Sequence, residues 1–286
     1  MNPNNVLVVV AVLSLGASFG YASGHGPVFA LATPTNPQGG FSFDTSLMGR
    51  YSGGSGTMFR GTLGYGITEN VKVSVSAPLV FQGENFAPSR TAAVTPMGGD
   101  FEVLGLWRFQ RKDFGVGKRF ETTTIGGLLL PGPQADSGPL KGVKSRPGGL
   151  IGVVSGVTSR SHYVWAGTTY QRYAASNFER RPDLLFYTFA YAYRPESWRK
   201  DNGWDWRLFG ECTGERLGAL QRASADVSGS RSNQVFVGPT TLGVYKNYAV
   251  SAGVQFAVYR NVGPIYPRER VRVAINFTWF FLFSCK

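Results

Sequence analysis

Chemistry has few residues to work with here. The chain of 286 residues holds two histidines, His25 and His162, and two cysteines, Cys212 and Cys285. A site built on three imidazoles is therefore excluded. Acyl transfer needs a hydroxyl within hydrogen-bond reach of its base, and on a strand a serine two residues from the histidine would share its face. His162 is followed by Tyr163 and Val164, and neither Ser161 nor Thr168 fits that spacing, so no catalytic residue is assigned. Asp205, Glu211 and Glu215 share one face by strand parity, but Arg207 lies on it too, and an ion-pair lattice is expected rather than an acid–base pair of carboxylates. Cleavage after Ala22 would leave Ser23-Gly24-His25 as a new terminus, whose amine, amides and imidazole could bind Cu(II) or Ni(II) in a plane. Loose polar termini are far commoner. No metal and no cofactor is assigned, and two cysteines are too few for a disulfide scaffold.

The elements that must position these residues read as strands. Val271, Val273, Ile275, Phe277 and Trp279 interleave with Arg272, Ala274, Asn276 and Thr278, and similar alternation runs through Val71 to Leu79 and Val250 to Val258. Successive strand residues point to opposite faces, so one face is apolar and the other polar. Twelve strands are predicted: 41–51, 57–67, 71–82, 100–110, 119–130, 148–158, 162–174, 183–193, 203–215, 234–245, 248–260 and 270–281. Long connections follow the third, fifth and ninth (83–99, 131–147, 216–233), and tight turns follow the second, sixth and tenth. Short turns at one end and long loops at the other are the pattern of an outer-membrane barrel. The fold expected is all-β, a transmembrane antiparallel up-and-down β-barrel of about twelve strands.

Composition agrees. Thirty-eight glycines, 14% aromatic and 16% charged residues suit paired strands with an apolar belt, and do not suit disorder. Past residue 22 no run approaches the roughly 18 apolar residues that a spanning helix needs. Residues 1–22 resemble a secretory signal, with an apolar core from Val6 to Leu15 and small residues near Ala22; residues 23–40 form a Pro-rich lead-in with Pro27, Pro34 and Pro37, and 41–286 form the barrel. The lead-in is expected either along the rim or inside the lumen.

The net charge of +12 is spread over loops (Arg90, Lys141, Lys144, Arg146, Arg180, Arg181, Arg222, Arg231, Arg268) and turns (Arg111, Lys112, Lys118, Arg199, Lys200, Lys246). Nucleic-acid binders gather such charge into one stripe with stacking aromatics, so no nucleic-acid partner is expected. Lipid and lipopolysaccharide phosphates of an outer membrane, the barrel assembly machinery and a small-molecule solute are the expected partners.

His25-Gly26-Pro27-Val28-Phe29, then Ala32-Thr33-Pro34-Thr35-Asn36-Pro37, Gly39-Gly40 and Phe41-Ser42-Phe43-Asp44 resemble the start of mature proteins in the family called MetA-pathway of phenol degradation. The likeness continues through Leu63-Gly64-Tyr65-Gly66-Ile67-Thr68-Glu69-Asn70 and Val73-Ser74-Val75. The resemblance implies a bacterial outer-membrane transporter barrel that passes hydrophobic or aromatic compounds, with no catalytic residues.

Two functions compete. One is a channel or transporter for small solutes, its polar lumen lined by Asp44, Arg50, Arg60, Glu102, Arg108, Arg207, Glu211, Gln255, Arg272 and Asn276. Arg60 and Arg207 are expected near mid-height, with Glu211 offsetting Arg207. The other is a structural or interaction barrel whose lumen is closed by side chains or by the Pro-rich segment. Eight strands fill with side chains and sixteen leave a channel, so twelve decides neither. Val73, Val75, Val254, Phe256, Ile275 and Phe277 are expected to face lipid.

Overall fold

Alternation over twelve segments closes into a single antiparallel sheet in the computed structural model. The structure describes residues 17–18, 26–51, 55–82, 100–132, 140, 143, 146–176, 178–198, 203–266 and 268–283. The strands are β1 (Gly40–Tyr51), β2 (Ser55–Thr68), β3 (Val71–Gln82), β4 (Phe101–Gly115), β5 (Lys118–Leu130), β6 (Gly148–Thr158), β7 (His162–Tyr173), β8 (Leu184–Tyr193), β9 (Asp205–Leu217), β10 (Ser232–Tyr245), β11 (Tyr248–Val262) and β12 (Val271–Phe283). Each pairs with its neighbours in sequence, and β12 pairs back onto β1 from Val271↔Tyr51 to Leu282↔Gly40. Closure removes the open edges that would otherwise template aggregation. A two-residue strand, Ala17–Ser18, pairs with Phe283 and Leu282. The rest of residues 1–25, with His25 and its metal-site hypothesis, lies outside the described residues, as do Cys285 and the loop around Lys141 and Lys144.

All twelve predicted strands appear, with two corrections at their ends. The fourth runs on to Gly115 and turns through Val116-Gly117, so Arg111 and Lys112 lie in the strand and not in a turn. No apolar alternation marks Gln110 to Asp113, because this end of the hairpin is exposed on both faces; the ladder with β5 holds it instead. The connection 216–233 is likewise shorter than expected: β9 and β10 pair out to Leu217↔Ser232, and the remainder folds a small hairpin, Gln221–Arg222 against Ala225–Asp226.

Outside, Leu47, Val75, Leu128, Ile151, Phe189, Phe256 and Ile275 form an exposed apolar band. Val73 and Val254 share its parity and are half-buried. Aromatic residues flank it. At the tight-turn end Trp204 stacks on Trp206 and Tyr245, and Tyr248 on Phe277 and Trp279; at the long-loop end Tyr51, Phe101, Tyr170, Tyr187 and Tyr259 are exposed. An apolar band between two aromatic girdles matches the exterior of a membrane-spanning barrel.

Inside, the lumen is only half polar. Leu104, Ile125, Leu150, Val154, Trp165, Phe186, Phe209 and Leu242 make an apolar wall over β4 to β10. This departs from the expected polar lining, and its physical reason is a covering partner: residues 26–37 enter from the tight-turn end and pack against it.

Candidate functional site: a lumen occupied by the N-terminal segment

Thr35 and Asn36 tie the segment to the tight-turn end. Thr35 Oγ1 donates to the Glu69 carbonyl at 2.7 Å, and Asn36 Nδ2 donates to Ser42 Oγ at 3.1 Å. The chain passes so close to β2 that a side-chain carbon at Gly66 would sit 2.1 Å from the Pro37 carbonyl oxygen; glycine is the residue that permits this approach. Farther in, Thr33 Oγ1 donates to Glu121 at 3.1 Å and accepts from Trp165 Nε1 at 3.2 Å, while Thr123 Oγ1 donates to the Thr33 carbonyl. Leu31 N donates to Thr188 Oγ1.

At mid-height the chain bends around one carboxylate. The backbone N–H groups of Val28, Phe29 and Ala30 donate to Glu211 at 2.8, 2.7 and 2.7 Å, and Thr240 Oγ1 donates to the same carboxylate. Successive N–H groups turned to one side form an anion-binding nest. The nest here belongs to the N-terminal segment and the anion to the barrel wall. Beyond the bend the chain doubles back, bringing Gly26 against Ala32.

The bend fills the bore. Phe29, fully buried, lies with Val28 against Met48, Met58 and Ala274. Met58, Met48, Ala274 and Gly253 sit in one ladder row across β2, β1, β12 and β11. A side-chain carbon at Gly253 would come within 3.2 Å of the Phe29 ring and 2.2 Å of Thr240. Ala30 and Leu31 pack on the opposite, apolar wall. Burying Val28, Phe29 and Leu31 contributes roughly 1.5–3 kcal/mol each.

Toward the long loops the bore is crossed by charge pairs. Arg272 makes a two-pronged bond to Glu215 (2.6 and 2.8 Å), reaches Glu269 at 2.7 Å and lies 3.7 Å from the Phe236 ring centre; Arg50 also pairs with Glu269. Arg181 meets Asp100 at 2.9 Å, with Tyr173 Oη donating to the same carboxylate. Burial works against the charged form of Glu269, yet the Arg272 and Arg50 guanidiniums outweigh it and hold that carboxyl below the usual range. Such buried pairs set geometry more than stability, since desolvation offsets much of their attraction.

All ten residues expected to line the lumen sit on the inner face, but they do not form one polar pathway. Arg50 and Arg272 belong to the loop-end cluster, where Gln255 accepts from Thr213. Arg60 pairs with Glu102 at 3.0 Å, and Arg108 with Glu121 at 3.0 Å. Asn276 accepts from Ser46, and Asp44 from Thr278. The expected offset of Arg207 by Glu211 is corrected. Arg207, third in β9 and near the tight-turn end, pairs with Asp205 at 3.1 Å, while Glu211 is taken up by the segment. The Asp205, Glu211 and Glu215 carboxylates thus serve three separate partners. His162 Nδ1 lies 2.8 Å from Tyr191 Oη within the aromatic girdle at the tight-turn end. Cys212 is an unpaired, half-buried thiol. The nest was missed from sequence, although an apolar Val28-Phe29-Ala30-Leu31 between prolines was its one visible sign.

On the tight-turn side of the bend a chamber of about 190 Å³ remains between the segment and the wall. Leu31, Leu104, Leu106, Ile125 and Leu242 face it from one side, and Ser42, Asp44, Arg60, Lys72, Ser74 and Asn276 from the other.

A closed twelve-stranded antiparallel barrel with a membrane-type exterior is the class this geometry defines. Among solved structures the chain is similar to an outer membrane channel from Pseudomonas putida F1, at 12% identity over 91% of this chain and 100% of that one, with a TM-score of 0.61. Weaker likenesses are to the NanC porin (7% identity, 83% and 98% covered, TM-score 0.48) and the KdgM porin (11%, 83% and 98%, 0.44). At such identities the likeness is one of fold. No family model and no curated relative matches the chain, so the resemblance to the phenol-degradation family rests on the motifs quoted above.

Proposed function

We propose that this protein is a channel or transporter for small solutes in the bacterial outer membrane, with its tight turns toward the periplasm and its N-terminal segment acting as an internal constriction. One observation carries this reading: the bore is occupied by a threaded segment held by hydrogen bonds, with a chamber left beside it, instead of being packed solid by wall side chains. An apolar wall facing that chamber supports hydrophobic or aromatic solutes as cargo. The fold shared with an outer membrane channel is consistent with it. Basic loop residues would meet outer-leaflet phosphates, and the assembly machinery would insert the barrel.

The second reading, a structural barrel with a closed lumen, is favoured by the same segment if it never leaves its seat. Swelling of proteoliposomes in small polar and aromatic solutes separates the two. Permeation by the full mature chain supports the channel; absence of permeation both in that chain and in one lacking residues 26–36 supports the closed barrel.

A further inference from the structure

Lys72 stands out among the lumen cations. Arg60 is committed to Glu102 and Ser76, and Arg108 to Glu121 and the β2–β3 turn. Among the described residues the Lys72 ammonium makes no ion pair and no hydrogen bond; Asp44 acts on it only through space, and one oxygen of the Asp44 carboxylate accepts from Thr278. The Lys72 side chain lies over Gly64, where a side-chain carbon would meet Cε at 2.7 Å, and it lines the chamber beside the N-terminal segment. Lys72 is half-buried, and drawing an ammonium partly out of water with no hydrogen-bonding partner carries a cost. A bound anion would repay that cost.

The surroundings define the rest of the ligand. In the β3–β4 ladder Lys72 stands opposite Leu106, and Ser74 opposite Leu104. A polar wall therefore changes to an apolar one across a single pair of strands. Leu31 and Ile125 extend the apolar side. At about 190 Å³ the chamber has the volume of about six waters, below the range for drug-sized ligands.

We propose that the chamber is a binding site for a small monoanion with an apolar body, an aromatic or branched aliphatic carboxylate. Its carboxylate accepts from the Lys72 ammonium, and its body lies on Leu106, Leu104 and Ile125. This deepens the channel reading by naming a substrate class for the same lumen, and it rests on that reading only for the ligand's being cargo. Occupancy of the chamber needs no conduction, so the two fail separately.

The test is calorimetric titration of the purified full mature barrel in detergent with benzoate, benzamide and benzylammonium. Benzoate is expected to bind most tightly, and Lys72→Gln to weaken it by about tenfold or more (about 1.4 kcal/mol), with benzamide affected little. Lys72→Arg should retain most benzoate affinity, and heat-modifiable migration on a gel verifies that each variant is a folded barrel. Ile125→Trp, which fills the chamber without touching the cation, should abolish binding of all three. Equal affinity for benzoate and benzamide, tighter binding of benzylammonium, or benzoate binding indifferent to Lys72→Gln in a folded barrel would each overturn the proposal.

Discussion

Replacing Glu211 by Gln should release the N-terminal segment from the bore while leaving the barrel intact. In the native chain three backbone N–H groups donate to one carboxylate at 2.7–2.8 Å, together with the Thr240 hydroxyl. A hydrogen bond to a charged group contributes about 1.5–3 kcal/mol. Gln keeps the shape but offers one carbonyl oxygen, and its amide nitrogen presents hydrogens to whichever N–H groups faced the other oxygen. Thr240 can turn its hydroxyl to accept from that amide. One N–H bond is then lost outright and the others lose their charge assistance, a change of about 3 kcal/mol after that compensation. The released fraction should rise roughly 100-fold. Hydrogen exchange reads this directly: amides of residues 28–31 should exchange faster by that factor, while the β9 and β10 ladders keep their protection. Unchanged exchange at Val28 to Ala30 would refute the nest as the latch. Equal acceleration across the barrel strands would also refute it, because the variant would then act through the fold.

The outer parity is checked by a pair of neighbours on β12: Ile275→Arg, on the exposed band, should cost about 2–4 kcal/mol and sharply reduce heat-modifiable barrel, while Asn276→Arg should be tolerated; equal yields would contradict the assignment. An epitope inserted at Gly138, in the connection between β5 and β6, should be detected on intact cells, since such loops tolerate insertion, and detection only after permeabilisation would invert the orientation. Glu269 makes the loop-end cluster acid-sensitive. Its carboxyl is held below its usual value, so its contribution is fully present above the ordinary glutamate pKa of about 4.3 and is lost as pH falls through the lower, folded value. Protection factors of amides in residues 263–270, taken against the intrinsic exchange rate at each pH, should stay level from neutral pH to about pH 5 and fall only below about pH 4; loss of protection already above pH 6 would contradict this.

The strands were legible because a half-buried strand writes its two faces into alternate residues. Val271 to Trp279 and Val71 to Leu79 needed nothing more. Where neither face is buried the signal disappears, which is why the extension of β4 through Arg111 and Lys112 could be read as a turn. Inward parity could be read as well, and Arg50, Glu102 and Arg272, which share it, are buried. Which inward charge meets which could not, because pairs such as Arg272–Glu215 and Arg181–Asp100 join residues 57 and 81 positions apart. The seat of the N-terminal segment was the least legible of all. Its contacts are backbone N–H groups, identical in every residue but proline, and absent side chains at Gly66 and Gly253. One clue was available: apolar residues at inward positions, Leu104, Ile125, Trp165, Phe186 and Phe209, are out of place in a wet lumen and imply something apolar to cover them.

The occupied bore is tested most directly by single-channel recording in planar bilayers of the chain from residue 23 onward beside the same chain lacking residues 26–36. The segment as constriction predicts small or rare openings from the former and a stable, several-fold larger conductance from the latter, with both barrels equally heat-modifiable. Indistinguishable conductance from two equally folded proteins would contradict it.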